Sequence, residues 1–331
     1  MFLVHDLGIA VLFCLVTMLG WGSWANMQKL AGKDRWPFEL FYWDYAIGVF
    51  AFSLLFAFTL GSAGASGVPF LDNLGGASTS ALWAAVLSGV LFNISNILLV
   101  VAIDAAGMAV AFPVGVGLAL VIGTVKSYVL SPKGNAALLI AGVALIVFAM
   151  IMSALAHRRM RAGAGTKPLR GLAFSAVAGC LMGFFYPQLL AAVSPDFTAR
   201  PIQPGLLTPY AALVLFALGL LGSNILVNTV FMRAGKVTYG EYFRGRARLH
   251  ALGFLGGCIW MLALSLNVIA SGVAGPAISY ALGQGATLVA AIWGVFVWRE
   301  FMGATKAIWT LIALMFAGYV IGLVLIGAAS L

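Results

Sequence analysis

Ten apolar runs of about 20–25 residues follow one another along the chain with short connections between them. They cover 7–30, 38–60, 79–103, 106–130, 136–156, 171–193, 208–232, 251–271, 275–298 and 306–329. A helix needs about 20 mostly apolar residues to cross the hydrocarbon of a bilayer. Within lipid it is the one open-chain form that satisfies its own backbone polar groups. The expected fold class is therefore all-α and polytopic, with ten transmembrane helices. Composition closes off a soluble alternative. Hydrophobic residues make up 63% of the 331 and charged residues 8%, against about 45–50% and about 25% in soluble domains. So little polar surface cannot cover a core of that size.

Charge then orients the spans. With ten crossings both termini lie on one side, and that side's connections hold only Lys126, Lys133 and Arg200. The other fifteen of the 18 Lys and Arg residues fall on the opposite side, among them Arg158, Arg159, Arg161, Lys167 and Arg170 of the 157–170 linker. Cytoplasmic loops carry the basic excess, so the expectation is an inner (cell) membrane protein with both termini outside, in the periplasm. The same reasoning assigns the net charge of +9 to topology rather than to nucleic-acid binding. No basic segment precedes the first apolar run, so no cleaved signal peptide is expected. Cys14, Cys180 and Cys258 sit within apolar runs and show neither a disulfide framework nor a CxxC spacing.

The chain also repeats itself. A shift of 168 positions lays Gly89 on Gly257, Phe92 on Trp260, Gly107 on Gly275 and Phe112 on Tyr280; it continues through Gly115 on Gly283 and Gly117 on Gly285. The first and sixth runs echo each other as well, with Gly22 over Gly183. Copies five crossings apart enter the membrane from opposite sides. This predicts two inverted five-helix repeats, 1–156 and 171–331, joined by the basic linker 157–170. Inverted repeats recur in transporters, where the solute site lies near the midplane between them.

Function is read from polar groups at membrane depth, since each costs free energy unless it pairs or faces water. There is no HExxH, GxSxG or P-loop, and His5, His157 and His250 are dispersed at span borders; no catalytic grouping, metal site or cofactor is expected. Buried amides stand out instead: Asn26, Asn93, Asn96, Gln188, Asn224 and Gln284, with Asn228 beside them. An amide both donates and accepts, which suits a neutral polar solute. Hydrogen bonding between helices is the competing role. Trp21, Trp24, Tyr42, Phe112, Tyr186, Trp260 and Tyr280 lie at similar levels and can stack on flat solutes, or simply pack. Gly-x-Gly at 115–117 and 283–285 either lets helices approach closely or exposes backbone to the solute. Asp44 is the one acid set clearly inside a span. A carboxylate there can carry a proton through a transport cycle, or be permanently paired. Arg299 and Glu300 read as an anchor at the end of the ninth span, and the 239–250 run as a basic cytoplasmic connection.

These residues resemble the drug/metabolite transporter superfamily, and within it the ureide permeases and the neighbouring glucose/ribose and L-rhamnose porters. Gly-Ser-Trp-Ala at 22–25, Tyr-Trp-Asp-Tyr at 42–45, Ala-Phe-Thr-Leu-Gly at 57–61, the 89–96 and 107–123 segments and Trp-Arg-Glu-Phe at 298–301 carry the likeness. The resemblance implies proton-linked movement of ureides, nucleobases or monosaccharides, and extends to Asp44, Asn96 and the glycines. The short 157–170 linker departs from the plant ureide permeases, as do Ala25 and Asn26 where plant members have proline.

The expectation is a secondary active transporter, working by alternating access with H+ as co-substrate, that imports a small neutral polar metabolite. Its partners are that solute, the proton and the lipid bilayer. A drug or amino-acid exporter of the same fold is the first alternative, and a membrane-embedded enzyme or sensor the second.

Overall fold

The computed structural model describes the whole chain apart from residues 64–66, 107, 161–167, 196, 198–201 and 331. At 104, 106, 108–110, 112, 113 and 168 it describes the backbone alone. The described residues are all-helical, and no strand is present among them. The helices are α1 (Leu7–Ser23), α2 (Ala25–Lys33), α3 (Phe38–Phe58), α4 (Phe70–Gly76), α5 (Thr79–Ala106), α6 (Met108–Leu130) and α7 (Ala136–Met160). There follow α8 (Pro168–Ala192), α9 (Pro209–Ala234), α10 (Tyr239–Phe243), α11 (Ala247–Ala274), α12 (Pro276–Gly283), α13 (Ala286–Ile292), a π-turn (Trp293–Val297) and α14 (Lys306–Ala328).

Nine helical stretches among the described residues are long and apolar enough to cross a membrane. They coincide with nine of the ten runs. The remaining run, 106–130, forms α6, of which the described apolar part is the shorter Val114–Leu130. Side chains such as Leu226, Leu55, Val129 and Ile140 stay exposed, as they do when the solvent is lipid. Helix starts are set locally. Asp6 accepts from Ile9 N at 2.9 Å, and the Asn135 side chain accepts from Ala137 N and Leu138 N at 3.0 and 3.2 Å. Thr208 accepts from Ala211 N ahead of Pro209, and Thr238 and Glu241 form a reciprocal capping box.

The first span keeps helical backbone through Trp24, where α1 passes into α2 with φ −56° and ψ −35°. One span differs from the continuous helices expected. The ninth is interrupted at Gln284 and Gly285, where α12 gives way to α13, and it ends in the π-turn. Glycine on either side of Gln284 supplies the cause, since it costs a helix about 1 kcal/mol relative to alanine at each position.

The chain forms two compact units: Met1–Asn93 with Gln188–Val273, and Ile94–Pro187 with Ala274–Leu331. These are a different division from the sequence repeat, because each unit draws on both halves of the chain.

Glycines set the closest helix crossings of the first unit. Where α3 meets α11, a Cβ on Gly48 would strike the Phe254 carbonyl, and one on Gly257 would strike the Tyr45 carbonyl. Where α5 meets α9, a Cβ on Gly89 would strike the Phe216 carbonyl, and one on Gly219 the Val86 carbonyl. The two crossings correspond residue for residue. Phe254 and Gly257 lie 168 positions after Val86 and Gly89, and Phe216 and Gly219 lie 171 after Tyr45 and Gly48.

In the second unit α7 packs on α14 through Gly142 and Gly322, and α8 meets α6 through Gly179 at Gly115. Gly115 has the packing role foreseen for it: its Cβ would meet Leu99 Cδ1 at 2.7 Å. Gly117 has more room, with Met150 Sδ at 3.8 Å.

Candidate functional site

The first unit holds an aromatic cage around Trp260 of α11. Phe92 of α5 lies 4.4 Å from it by ring centroids, Phe216 of α9 at 5.9 Å, Trp21 of α1 at 6.0 Å and Tyr45 of α3 at 6.3 Å. Trp24 and Tyr42 extend the group through Tyr45, at 4.9 and 5.2 Å. The repeat register runs through this cage, for Tyr45 corresponds to Phe216 and Phe92 to Trp260. Two rings carry buried donors that meet no acceptor among the described residues, Trp21 Nε1 and Tyr45 Oη. An unsatisfied buried donor costs about 1–3 kcal/mol, so such groups mark a place where a ligand or water completes the bonding.

The amides separate by what they do. Asn93 Nδ2 donates to Ser223 Oγ at 2.9 Å, joining α5 to α9, while its Oδ1 is buried without a partner among the described residues. Asn224, the next residue on α9, is fully buried, and neither atom of its amide has a partner among the described residues. Asn228 Nδ2 donates to the Glu39 carbonyl at 2.9 Å, an interhelical bond. Asn26 Nδ2 bonds within its own turn, to Ser23 O at 2.9 Å. Gln188 also belongs to this unit and is half-buried.

Of the other expected residues, Asn96, Tyr186, Tyr280 and Gln284 belong to the second unit. Tyr186 and Tyr280 pack at 4.8 Å, and Tyr280 Oη donates to Ala119 O at 3.3 Å across to α6. Asn96 Nδ2 is buried without a partner among the described residues. Gln284 stands at the break between α12 and α13. The Phe112 side chain lies outside the described residues, as do Gly107 and residues 161–167 of the linker.

Asp44, on α3 in the first unit, is paired. Its Oδ1 accepts from Tyr242 Oη at 2.7 Å, and His250 Nδ1 lies 2.9 Å from Oδ2 and 3.1 Å from Oδ1. Its side chain is 8% exposed. Burial, then the bond to Asp44, pushes the Tyr242 phenol above its ordinary value, which keeps it a donor. Sequence reading placed His250 and Tyr242 in a basic connection without linking them to Asp44. They lie 206 and 198 positions away in the chain, and no local pattern announces such a contact. A second pair was likewise missed: His157 Nε2 lies 3.5 Å from Glu300 Oε2. Tyr45, Phe216 and Ser223 are further residues that sequence reasoning did not single out; the 168-position shift lays Tyr45 on Leu213, and the matching glycine contacts of the two crossings are what bring Tyr45 and Phe216 into correspondence.

A groove of about 470 Å³ between α6 and α7 is lined by Val121, Val125, Val129, Ile140 and Val143 among others. Its walls are apolar, and Val121, Val125, Val129 and Ile140 are exposed, so it suits lipid tails rather than a polar solute. No cluster of potential metal ligands occurs among the described residues.

Residues 41–167 match the ureide permease family model. Ureide permease 1 of Arabidopsis thaliana is 21% identical over an alignment covering 100% of this chain and 99% of that one. Ureide permease 4 of the same plant is 22% identical with the same coverage. Ureide permease 2 is 28% identical over 163 residues, 48% of this chain. A solved crystal structure shares the fold, with a TM-score of 0.58 and 17% identity over 96% of each chain.

Proposed function

We propose that this chain is a secondary active transporter that imports a small, neutral, flat metabolite of the ureide or nucleobase type together with a proton. The observation that carries the reading is the aromatic cage with its unspent donors. Flat rings give stacking area, while Trp21 Nε1, Tyr45 Oη and the Asn224 amide offer hydrogen bonds that no group among the described residues takes up. A neutral solute bearing both carbonyl and N–H groups satisfies all of them, and a purely apolar one satisfies none. The ureide permease likeness supports the same solute class.

The architecture that goes with it is ten spans in two inverted repeats, 1–156 and 171–331, with 157–170 as linker. The corresponding glycine crossings, α3 with α11 and α5 with α9, support this duplication. The interrupted ninth span supports a solute route, since broken helices mark transporter sites at membrane depth. The residues assigned to solute binding are Trp21, Trp24, Asn26, Tyr42, Asn93, Asn96, Phe112, Tyr186, Gln188, Asn224, Trp260, Tyr280 and Gln284. Asp44 is the proton-coupling group. The basic connections face the cytoplasm and both termini face outward in the cell membrane.

The test is uptake by the purified protein in liposomes, with allantoin, uracil and a monosaccharide as competing solutes and an imposed proton gradient. Gradient-driven accumulation of the first two is the expected result, abolished by Asp44→Asn with solute exchange retained. Accumulation unchanged in D44N rejects the coupling role. Preference for the monosaccharide, or movement only out of the cytoplasmic side, rejects the assignment of solute or direction.

A further inference from the structure

The Asp44 cluster ties together three stretches of chain. Asp44 stands in the second turn of α3, Tyr242 on the short helix α10, and His250 in the first turn of α11. The two donors on Asp44 thus bracket the end of the connection between α9 and α11. At its start the connection is held through Tyr239, whose ring lies 5.9 Å from Trp43 of α3 and whose hydroxyl bonds Thr229; further along, Phe243, Arg244 and Arg246 are exposed, and Glu241 is spent on the capping box with Thr238. Trp36 closes the far side of His250, edge-on at 5.5 Å. Gly253, one turn further along α11, lies against Asp44, since a Cβ there would meet the Asp44 Cβ at 2.5 Å. These elements also carry the exposed pair Asp34 and Arg248 at 3.4 Å, and Arg35, Glu39, Lys236, Arg244 and Arg246.

Comparison of the two copies shows that the crossing does not require this polarity. In the register that pairs Gly48 with Gly219 and Gly89 with Gly257, the position matching Asp44 is Leu215 and the position matching His250 is Leu82. The same crossing is therefore built once with leucines and once with a carboxylate and an imidazole. A buried carboxylate costs free energy that leucine does not, so its presence in one copy calls for a role other than packing.

We propose that Asp44 and His250 form one proton-binding unit, and that through it Tyr242 fastens the 235–246 connection to α3 while the carboxylate is ionised. This deepens the proton-coupled reading of Asp44, on which it rests, by naming the partner group and the part that moves. An ionised carboxylate accepts from both donors at once. When a proton adds to one oxygen, that oxygen becomes a donor itself and the two existing donors compete for the other. The tie to the connection loosens, and the cytoplasmic end of the first unit is freed. Release of the proton restores both bonds.

The experiment uses the full chain in liposomes and in detergent, with Asp44→Asn, Tyr242→Phe, His250→Ala and His250→Gln. Two readings are taken: the pH dependence of allantoin uptake, and the rate of trypsin cleavage at Arg244 and Arg246 at one fixed pH. D44N, which imitates the protonated acid, is expected to be cleaved about tenfold faster than the parent, as loss of a charged hydrogen bond implies, and Y242F, which lacks the fastening hydroxyl altogether, at least as fast as D44N. H250A is expected to move the uptake midpoint to higher pH, since it removes a donor that favours the ionised carboxylate, and H250Q, which keeps a donor, to restore part of that shift. Equal cleavage of the parent, Y242F and D44N overturns the fastening; so does an H250A profile that superimposes on the parent. If uptake by the parent ignores the proton gradient, the transport reading fails while the cleavage rates still decide the fastening. Y242F removes one hydroxyl and keeps the test valid should H250A not fold.

Discussion

Adding one methyl group at a helix crossing tests the duplicated architecture most directly. In an open helix position Gly→Ala gains about 1 kcal/mol from backbone entropy. Gly222 is such a position, with nothing within 4 Å of an added Cβ. At Gly89 and Gly257 the added Cβ instead meets a backbone carbonyl, of Phe216 and Tyr45 respectively. A carbonyl within a helix cannot rotate aside as a side chain can, so the helices must separate. Overpacking of this kind costs about 1–3 kcal/mol, and the backbone obstacle argues for the upper half of that range. The net expectation is a loss of about 1–2 kcal/mol for G89A and for G257A, against a gain of up to about 1 kcal/mol for G222A. Unfolding in mixed micelles with increasing sodium dodecyl sulfate measures the difference. Because Gly89 and Gly257 hold corresponding places in two crossings, their losses should agree closely. If either variant proves as stable as G222A, or only one of the pair is sensitive, the equivalence of the two crossings is wrong.

Two further outcomes follow from the bonding in the first unit. Tyr45→Phe removes a buried hydroxyl that has no partner, so the protein should become more stable by about 1–3 kcal/mol while solute affinity falls about 2- to 10-fold; thermal unfolding and competitive uptake together measure this, and a fall in stability would show that the hydroxyl is already bonded. Asn228→Leu removes the bond to the Glu39 carbonyl and should cost about 1 kcal/mol with uptake per folded molecule unchanged, since this amide joins helices; a selective loss of uptake would move Asn228 to the solute site.

The amino-acid sequence by itself determined where the chain runs through lipid. Hydrophobicity and charge are local properties, summed along about 20 residues, and nine of the ten runs read that way are helices of spanning length among the described residues. The repeat was legible for a related reason: glycine at a crossing is needed wherever two backbones touch, so Gly89 and Gly257 mark the same contact twice. Trp21 and Trp260 were recognisable as a type of residue suited to stacking, although nothing in the sequence said that they meet. What only the tertiary structure decided is which polar groups are spent and which are left over. Asn228 and Asn224 are one turn apart on α9 and look alike in the sequence, yet one is bonded to Glu39 and the other to nothing described. Asp44 likewise found His250 through a helix crossing 206 residues away. Such partners depend on the angle and rotation at which two helices cross, quantities set by side-chain packing over the whole unit and written in no single stretch of chain.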